Sequence, residues 1–281
     1  MTNINYLSLK EVQTESLKVL KFIDEVCQKN GFHYFIAYGT LLGAIRHQDI
    51  ITWDDDVDIW MPREDYNKFT EYCITNADKI RPLELLSPRN KDYPYMISRL
   101  SNSNYILEED NVKPYGLGVF VDIYPLDGVG SNLSDSYALK RKVCKYVSLC
   151  FLSTRVDFSV ERTKGFFKLL IKYPAYVLAK IFGKEYFFNK IQKMADAQDY
   201  ASSKYVSCLV WDPLSAVKFV FRKDDFVNPV KVKLGDYMFN APSNSHEILK
   251  LIYNDYMKLP PKEDRIGYHF ARAYLKNKDI K

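Results

Sequence analysis

Four carboxylates lie among large apolar residues at positions 53–60, which read Trp-Asp-Asp-Asp-Val-Asp-Ile-Trp. If this segment is a strand, Asp54, Asp56 and Asp58 share one face and Asp55 lies on the other, because side chains alternate between faces. Same-face positions are about 7 Å apart, so these charges repel one another unless a cation lies between them. Carboxylate oxygens are the ligands that Mg²⁺ or Mn²⁺ prefers. The pattern therefore predicts a divalent metal site, with a solvated acidic loop as the alternative.

A single acid, Asp122, is embedded in an apolar run at residues 119–126. The run predicts a strand that Pro125 and Gly128 terminate. A buried carboxylate is costly unless it is paired or bound to a cation. Asp122 is therefore the natural third ligand for an ion held by the acidic segment.

Gly39 and Thr40 indicate a phosphate-binding turn. They separate a predicted strand at residues 32–38 from a short predicted helix at residues 41–47. A helix N-terminus offers free N–H groups and the positive end of a dipole to a phosphate, and glycine lets the backbone approach closely. The order of turn, helix, acidic strand and later acid-bearing strand resembles the pattern of the nucleotidyltransferase superfamily.

Helix caps and hydrophobic periodicity predict the remaining elements. Ser8 and Glu11 form a capping-box pattern before the first helix, and Gly31 is its expected C-cap. Pro62 occupies the first position of a helix that runs to about Ala77. The other predictions are the acidic strand at 54–61, strands at 83–86, 95–100, 226–234 and 239–242, helices over most of 131–200, and a helix at 245–256.

Length and composition predict a globular protein, since 281 residues with 47% hydrophobic content can bury a full core. We expect a catalytic core at residues 1–130, a basic aromatic helical segment at 131–200 and a C-terminal part at 201–281 that completes the core. The five cysteines lack the spacing of metal ligands, which predicts reduced thiols in a cytosolic protein. The first ten residues lack the basic and apolar regions of a signal peptide.

Charge is divided unevenly along the chain. Residues 1–130 contain 13 Lys and Arg against 20 Asp and Glu, whereas residues 131–281 contain 27 against 15. The segment 138–193 holds 13 basic and 3 acidic residues. A basic half of this kind suggests a polyanionic partner or an anionic membrane surface, with a merely solvated basic face as the alternative.

The basic segment contains a candidate membrane-interface helix. Residues 165–183 are apolar but interrupted by Lys168, Lys172 and Lys180, so the segment is too charged to span a bilayer. Lysines restricted to one arc of a helix, with apolar residues over the rest, are typical of a helix that lies in the membrane interface. A surface helix that covers the core is the alternative. Pro174 is expected to kink or split this helix.

Three blocks of the sequence resemble the LicD family. The first is Tyr-Gly-Thr-Leu-Leu-Gly-Ala-Ile-Arg-His at 38–47 followed by Ile-Thr-Trp-Asp-Asp-Asp-Val-Asp-Ile at 51–59, the second is Phe-Val-Asp-Ile-Tyr-Pro-Leu-Asp-Gly at 120–128, and the third spans 253–269. Thr52 stands where the family commonly has Pro, and this difference does not involve a residue that is expected to take part in the reaction. The resemblance implies an α+β fold, a nucleotidyltransferase-like mixed sheet flanked by helices with a basic helical insertion.

The resemblance also implies a reaction. It is metal-dependent transfer of a phospho-alcohol, typically phosphocholine, from a CDP-linked donor to a hydroxyl of a cell-surface glycan of the teichoic acid or lipo-oligosaccharide type. Relatives move glycerol or ribitol phosphate, so those CDP-alditols stay open as donors. A D-x-D glycosyltransferase that uses a nucleotide-sugar and a non-catalytic phosphocholine- or glycan-binding module are the competing classes.

The expected partners follow from that reaction. They are CDP-choline or a related CDP-alcohol, a glycan acceptor that a lipid can carry, and an anionic membrane surface, with no nucleic acid. The expected location is cytoplasmic, at the inner face of the membrane, where a lipid-linked acceptor is assembled.

Roles for individual residues come with the resemblance as well. Asp56 and Asp58 are expected to bind Mg²⁺ or Mn²⁺ with Asp54 in support, and Asp122 is expected to be a third ligand or the general base. The expected substrate contacts are Gly39 and Thr40 with the donor phosphates, Arg46 and Arg99 with the diphosphate, His47 with phosphate, Trp53 and Tyr124 as aromatic faces near choline, and His269 with an anion.

Overall fold

The computed structural model describes residues 4–158, 166–211, 214–265, 267 and 272–276. Over these residues the helices are α1 (Leu9–Asn30), α2 (Tyr38–His47), α3 (Arg63–Thr75), α4 (Leu133–Thr154), α5 (Phe166–Asp196) and α6 (Ser245–Tyr253). The strands are β1 (Phe35–Ile36), β2 (Asp58–Pro62), β3 (Leu83–Leu86), β4 (Ser98–Asn102), β5 (Tyr105–Glu108), β6 (Val119–Gly128), β7 (Tyr205–Ser207), β8 (Phe221–Arg222), β9 (Val230–Leu234), β10 (Tyr237–Ala241) and β11 (Arg272–Leu275).

A mixed sheet with the strand order β1-β2-β6-β4-β3 forms the centre of the described chain. β2 and β6 are parallel, whereas β1, β4 and β3 pair antiparallel with their neighbours. β7 pairs with the end of β6 and with β8. Every residue of β6 is buried, because strands lie on both sides of it and helices α1 and α3 pack against it. This mixed sheet flanked by helices confirms the predicted α+β class.

Helix α1 begins and ends as its sequence predicts. Glu11 donates its backbone N–H to the Ser8 hydroxyl at 3.3 Å, and the Glu11 carboxylate accepts the Ser8 N–H at 2.7 Å. At the other end Gly31 has φ of 69°, a left-handed conformation that glycine adopts without a Cβ clash. The apolar face between these caps packs into the core through residues such as Leu20 and Ile23.

Loss of the Ser8 cap is expected to destabilise the protein modestly. Ser8→Ala removes the acceptor for the Glu11 N–H, and such a cap contributes about 1 kcal/mol. Urea unfolding of the purified variant measures this free energy. Ser8→Thr keeps the acceptor oxygen and is the control, so equal losses in Ser8→Ala and Ser8→Thr contradict the capping role.

The acidic segment is not a strand over its full predicted length, because β2 begins only at Asp58. Residues before it form a loop in which the Asp54 N–H donates to the Ile51 carbonyl at 2.9 Å. The Gln13 side chain of α1 donates to the carbonyls of Ile51 and Asp54 at 3.1 and 2.8 Å. Asp is disfavoured in strands, and this buried amide gives the loop an alternative set of hydrogen bonds. The predicted strand boundary at residue 54 is therefore wrong.

Two further boundaries near the site differ from prediction. The strand predicted at 32–38 is reduced to Phe35–Ile36, and α2 begins at Tyr38 and not at residue 41. Tyr38 has φ of 41°, and its ring packs against Trp60 and Tyr124 at centroid distances of 4.8 and 5.2 Å. Packing of the Tyr38 ring fixes the point at which the chain turns from strand to helix.

The middle of the chain is helical, as predicted, but its interruption lies elsewhere. Pro174 lies inside α5, and the residue with non-helical dihedral angles is Gly183, at φ 73° and ψ 168°. Across the described part of the chain, no helix has the length and apolar character needed to cross a membrane. All five cysteine side chains are buried.

Two C-terminal elements are shorter than predicted, whereas β10 begins at Tyr237, before the predicted residue 239. The strand predicted at 226–234 begins at Val230, because Asn228-Pro229 is a turn signal. The helix predicted at 245–256 ends at Tyr253, where Asn254 adopts φ of 59°. Strand β5 was not predicted, and it pairs with β11 near the C-terminus.

Candidate active site

A cleft of about 690 Å³ opens beside the acidic loop. Its walls are the first turns of α2, the loop that leads into β2, and the chain that follows α6. The lining residues used below are Tyr38, Gly39, Arg46, Trp53, Asp54, Asp56, Asp58, Tyr253, Asp255, Tyr256, Lys258 and Asp264. The fold thus brings the first and third sequence blocks to one place, although they lie at opposite ends of the chain.

The acidic loop concentrates carboxylates at one end of the cleft. One oxygen from each of Asp54, Asp55 and Asp56 lies within 4.8 Å of the other two, and all three residues are half-buried. Their spacing would let one cation contact all three. The expectation that Asp55 points away from Asp54 and Asp56 is wrong, because strand alternation does not apply to a loop.

Asp58 and Asp122 are neighbours across the central strands. They occupy paired positions of β2 and β6, so their side chains share a face of the sheet. Asp58 is 6% exposed and lines the cleft, whereas Asp122 is 3% exposed. Burial raises the pKa of Asp122, the Arg99 guanidinium opposes that rise, and the charge of Asp56 adds to it. The negative charge of the loop therefore reaches Asp122.

Arg99 forms a buried ion pair with Asp122 and is not among the residues that line the cleft. It is 2% exposed, and its Nε donates to Asp122 Oδ1 at 2.6 Å. Its Nη1 donates to Glu109 at 3.0 Å, and the guanidinium lies over the rings of Tyr95 and Phe120 at 4.5 and 4.2 Å. The predicted contact of Arg99 with a donor diphosphate does not fit this burial, since Asp122, Glu109 and Tyr115 accept hydrogen bonds from the guanidinium.

Gly39 and Thr40 have separate tasks in the structure. Gly39 lines the cleft, and a Cβ built on it would lie 2.5 Å from Asp54 Oδ2. Thr40 is 2% exposed, and its hydroxyl accepts the Asp58 N–H at 2.8 Å. Gly39 thus makes room for a carboxylate of the site, and Thr40 fixes the start of β2 against α2. A direct phosphate contact by the Thr40 side chain does not fit this burial.

Gly39→Ala is expected to displace the Asp54 carboxylate and lower activity by about 10²-fold, the scale for a displacement of about 1 Å near reacting groups. The melting temperature is expected to stay near the wild-type value, since alanine is the better helix former. Steady-state kinetics and thermal unfolding of the same preparation measure both. In an Asp54→Ala background the clash is absent, so Gly39→Ala is expected to cost little more there. An undiminished loss in that background contradicts the steric explanation.

Arg46 lines the cleft, and His47 is set beside it. Arg46 Nη1 donates to the Tyr256 carbonyl at 2.7 Å, which ties α2 to the chain after α6. Burial lowers the pKa of Arg46 from its usual value. Burial and then the charge of Arg46 lower the pKa of His47, whose ring meets Trp53 edge-on at 6.1 Å. His47 is therefore expected to be neutral at pH 7.

Of the two aromatic residues predicted to contact choline, one lines the cleft and the other is buried beneath it. Trp53 lines the cleft, and the Arg265 guanidinium lies 5.5 Å from its ring centre. Tyr124 is 4% exposed and donates to Asp122 Oδ2 at 3.3 Å. Tyr124 therefore supports Asp122 and does not offer a free face to a ligand. His269, the remaining predicted contact, lies outside the described residues.

The wall formed after α6 contains residues that sequence reasoning did not assign to the site. Enclosure in the cleft raises the pKa of Tyr253, and the charges of Asp58, Asp54 and Asp56 add to the rise. Tyr253 therefore faces the acidic loop. Its neighbours in this wall are Asp255, Tyr256, Lys258 and Asp264. The third sequence block was the available signal, because it begins at Tyr253.

Comparisons with known proteins agree with this geometry. Residues 31–145 match the family model described as LicD/FKTN/FKRP, nucleotidyltransferase domain. The lipopolysaccharide cholinephosphotransferase LicD of Haemophilus influenzae is 26% identical over 96% of this chain and 98% of that protein. The chain is thus similar to the LicD family over residues 31–145 and to one cholinephosphotransferase over nearly its full length. The human ribitol 5-phosphate transferase FKRP is 36% identical to this chain over 64 residues, which are 23% of this chain and 11% of that protein.

Proposed function

We propose that this LicD-like protein transfers a phospho-alcohol, phosphocholine in the first place, from a CDP-linked donor to a hydroxyl of a cell-surface glycan. The observation that carries the proposal is the cleft itself, in which Asp54, Asp56 and Asp58 meet the first turn of α2. We infer a nucleotidyltransferase-type fold for the central sheet, in line with the family description of residues 31–145.

The residues of the acidic loop fit a divalent cation. They offer only carboxylate oxygens, which suit Mg²⁺ or Mn²⁺ better than metals that favour nitrogen or sulfur. Asp54, Asp55 and Asp56 are close enough to share an ion, and Asp58 lines the same cleft. We propose that Asp56 and Asp58 are the principal ligands, with Asp54, Asp55 and Asp122 behind them. When bound, such an ion neutralises phosphate oxygens and the charge that develops on the leaving nucleotide.

The donor is proposed to bind along α2. Free N–H groups at the start of this helix attract phosphate, and Gly39 lines the cleft at that point. Arg46 and Lys258 place two positive charges on the cleft wall beside it. These groups orient the diphosphate of a CDP-alcohol toward the acidic loop.

Asp122 is proposed as a supporting ligand and not as the general base. It is 3% exposed and held by Arg99, so an acceptor hydroxyl cannot approach it without displacing that pair. A general base must lie within hydrogen-bond reach of the proton that it removes. Asp54 and Asp56, which line the open cleft, are better placed to receive the acceptor proton.

Charge favours choline over an uncharged alditol. Of the five carboxylates that line the cleft, Asp255 and Asp264 belong to the wall that follows α6 and not to the acidic loop, so the proposed metal does not neutralise them. Tyr253 and Tyr256 add aromatic surface to the same wall, and quaternary ammonium groups bind against aromatic faces. Ribitol phosphate transfer is the second candidate, since the FKRP match favours it.

A donor screen tests the proposed function. Purified protein with Mg²⁺ and a lipo-oligosaccharide or teichoic acid acceptor is supplied with CDP-choline, CDP-ethanolamine, CDP-glycerol or CDP-ribitol, and release of CMP is measured. CDP-choline is expected to react fastest, and EDTA is expected to stop the reaction until Mg²⁺ is restored. Faster turnover of an alditol donor selects the second candidate. Preferential use of a nucleotide-sugar contradicts both and favours a glycosyltransferase.

We also propose that transfer takes place at an anionic membrane surface on the cytoplasmic side, where a lipid-linked acceptor is presented. The excess of basic residues at 138–193 supports this location, because such a surface attracts Lys and Arg. Flotation with anionic vesicles tests it, and a protein that stays entirely in the soluble fraction at low salt contradicts it.

A further inference from the structure

The first half of α5 presents large apolar side chains to solvent. Ile171 is 74% exposed and Ile181 72%, and Leu178 and Phe182 are each more than half exposed. Single exposed apolar residues are common on protein surfaces, but a contiguous apolar surface usually marks a binding site for a protein or a membrane. These four residues lie within three turns of one helix.

Four exposed apolar residues share one side of the helix, whereas Tyr173, which is 53% exposed, lies on another side. At about 100° per residue, Ile171, Leu178, Ile181 and Phe182 fall within an arc of about 100°, which we call the apolar ridge. Ala179 lies on the other side and is fully buried. There the Tyr176 hydroxyl donates to the Val156 carbonyl at 3.0 Å. Lys180 donates to the Arg155 carbonyl from the same side. Contacts with the end of α4 therefore hold α5 with its apolar ridge outward.

Positive charge accompanies the apolar ridge. Residues 171–182, which hold the apolar ridge, contain Lys172 and Lys180 and no acid, and three further lysines follow between Gly183 and residue 193. Lys172, Lys190 and Lys193 are exposed. An apolar side with lysines around it is the composition of helices that lie in the interface of anionic membranes.

We infer that the apolar ridge of α5 inserts into the headgroup region of an anionic bilayer. This inference deepens the proposed membrane association and does not depend on the transfer reaction. A second copy of the chain is a poorer occupant, because a two-fold interface would place the same lysines of both copies together. A partner protein is also disfavoured, since lysine is depleted at interface cores.

Gly183 limits the membrane-binding part of the helix. The chain changes direction there, and beyond it Phe187 and Ile191 are buried in the core. Lys184, next to the bend, donates to the Tyr93 carbonyl at 2.7 Å. The apolar ridge is thus anchored to the core immediately after it ends, so the catalytic core is held at the membrane surface.

Vesicle flotation with a surface variant tests the inference. The triple variant Ile171→Ser, Ile181→Ser and Phe182→Ser removes exposed apolar surface and is expected to keep the wild-type melting temperature. The probes are vesicles of phosphatidylglycerol and phosphatidylcholine in equal amounts and vesicles of phosphatidylcholine alone. Wild type is expected to float with the anionic vesicles at low salt, and the triple variant to bind them at least tenfold more weakly. Val227→Ser and Met238→Ser, which alter exposed apolar residues elsewhere, are the matched controls.

Several results would overturn the inference. They are equal vesicle binding by the triple variant and wild type, equal losses in the matched controls, and failure of wild type to bind anionic vesicles. Light scattering in the absence of lipid tests for a further contradicting result. If wild type is a dimer and the triple variant is a monomer, the apolar ridge binds a second copy of the chain and not a membrane. CMP release with a soluble acceptor is followed separately, so failure of vesicle binding is distinguishable from failure of the transfer reaction.

Discussion

Replacing Asp56 or Asp58 by Asn is expected to lower the rate of phospho-alcohol transfer by at least ~10³-fold. A divalent ion stabilises the transition state of phosphoryl transfer by several kcal/mol, and each 1.36 kcal/mol corresponds to a factor of ten in rate. Asparagine keeps the shape of the side chain but lacks the charge that would hold the proposed ion. The measurement is CMP release from CDP-choline over a range of Mg²⁺ concentrations.

The melting temperature separates this loss from unfolding. Asp56 and Asp58 belong to one crowded group of like charges, so removal of either charge is expected to leave the metal-free protein as stable as wild type or more stable. Asp78→Asn changes an exposed acid outside the cleft and is expected to leave both activity and stability unchanged. Full activity of Asp56→Asn and Asp58→Asn together would show that these carboxylates hold no catalytic ion.

Local sequence was sufficient to bring most of the cleft together. Gly39, Arg46, Asp56 and Asp58 lie within twenty positions of one another, and the pairing of β1 with β2 sets the start of α2 beside Asp58. The direction predicted for the Asp55 side chain was wrong because of the local structure. The acidic segment is a loop pinned by Gln13, and a period of two applies only within a strand.

Long-range pairing decided the parts of the site that were not predicted. Arg99 reaches Asp122 because the antiparallel register of β4 and β6 sets the two residues opposite each other, and no pattern within either strand specifies that register. The wall from Tyr253 to Asp264 depends on the Arg46–Tyr256 contact, which joins residues far apart in the chain. The residue types of the third block indicated that it belongs to the site, but the sequence did not predict where the block lies in the fold.

The buried pair of Arg99 and Asp122 connects the fold to the chemistry. The proposed cation site requires Asp122 to stay charged beside Asp58, although burial alone favours the neutral form of Asp122. Arg99 offsets that cost through its contact with Asp122, and Glu109 and Tyr115 bind the remaining side of the guanidinium. The contacts of Arg99 therefore hold Asp122 in position and also balance the charge of the buried Asp122 carboxylate.

Arg99→Met is accordingly expected to lower the free energy of unfolding by about 3–5 kcal/mol, because it leaves buried carboxylates without their partner. Asp122→Asn in the Arg99→Met background is expected to recover part of that loss, since it removes one unpaired charge. Arg89→Met is the matched control, because Arg89 pairs with Glu71 where both side chains are at least 60% exposed and such pairs contribute about 0–1 kcal/mol. Urea unfolding of these variants measures all three values. Equal small losses of unfolding free energy in Arg99→Met and Arg89→Met would mean that the buried pair does not stabilise the fold. If Asp122→Asn restores stability in the Arg99→Met background, the loss in Arg99→Met is due to the unpaired Asp122 carboxylate.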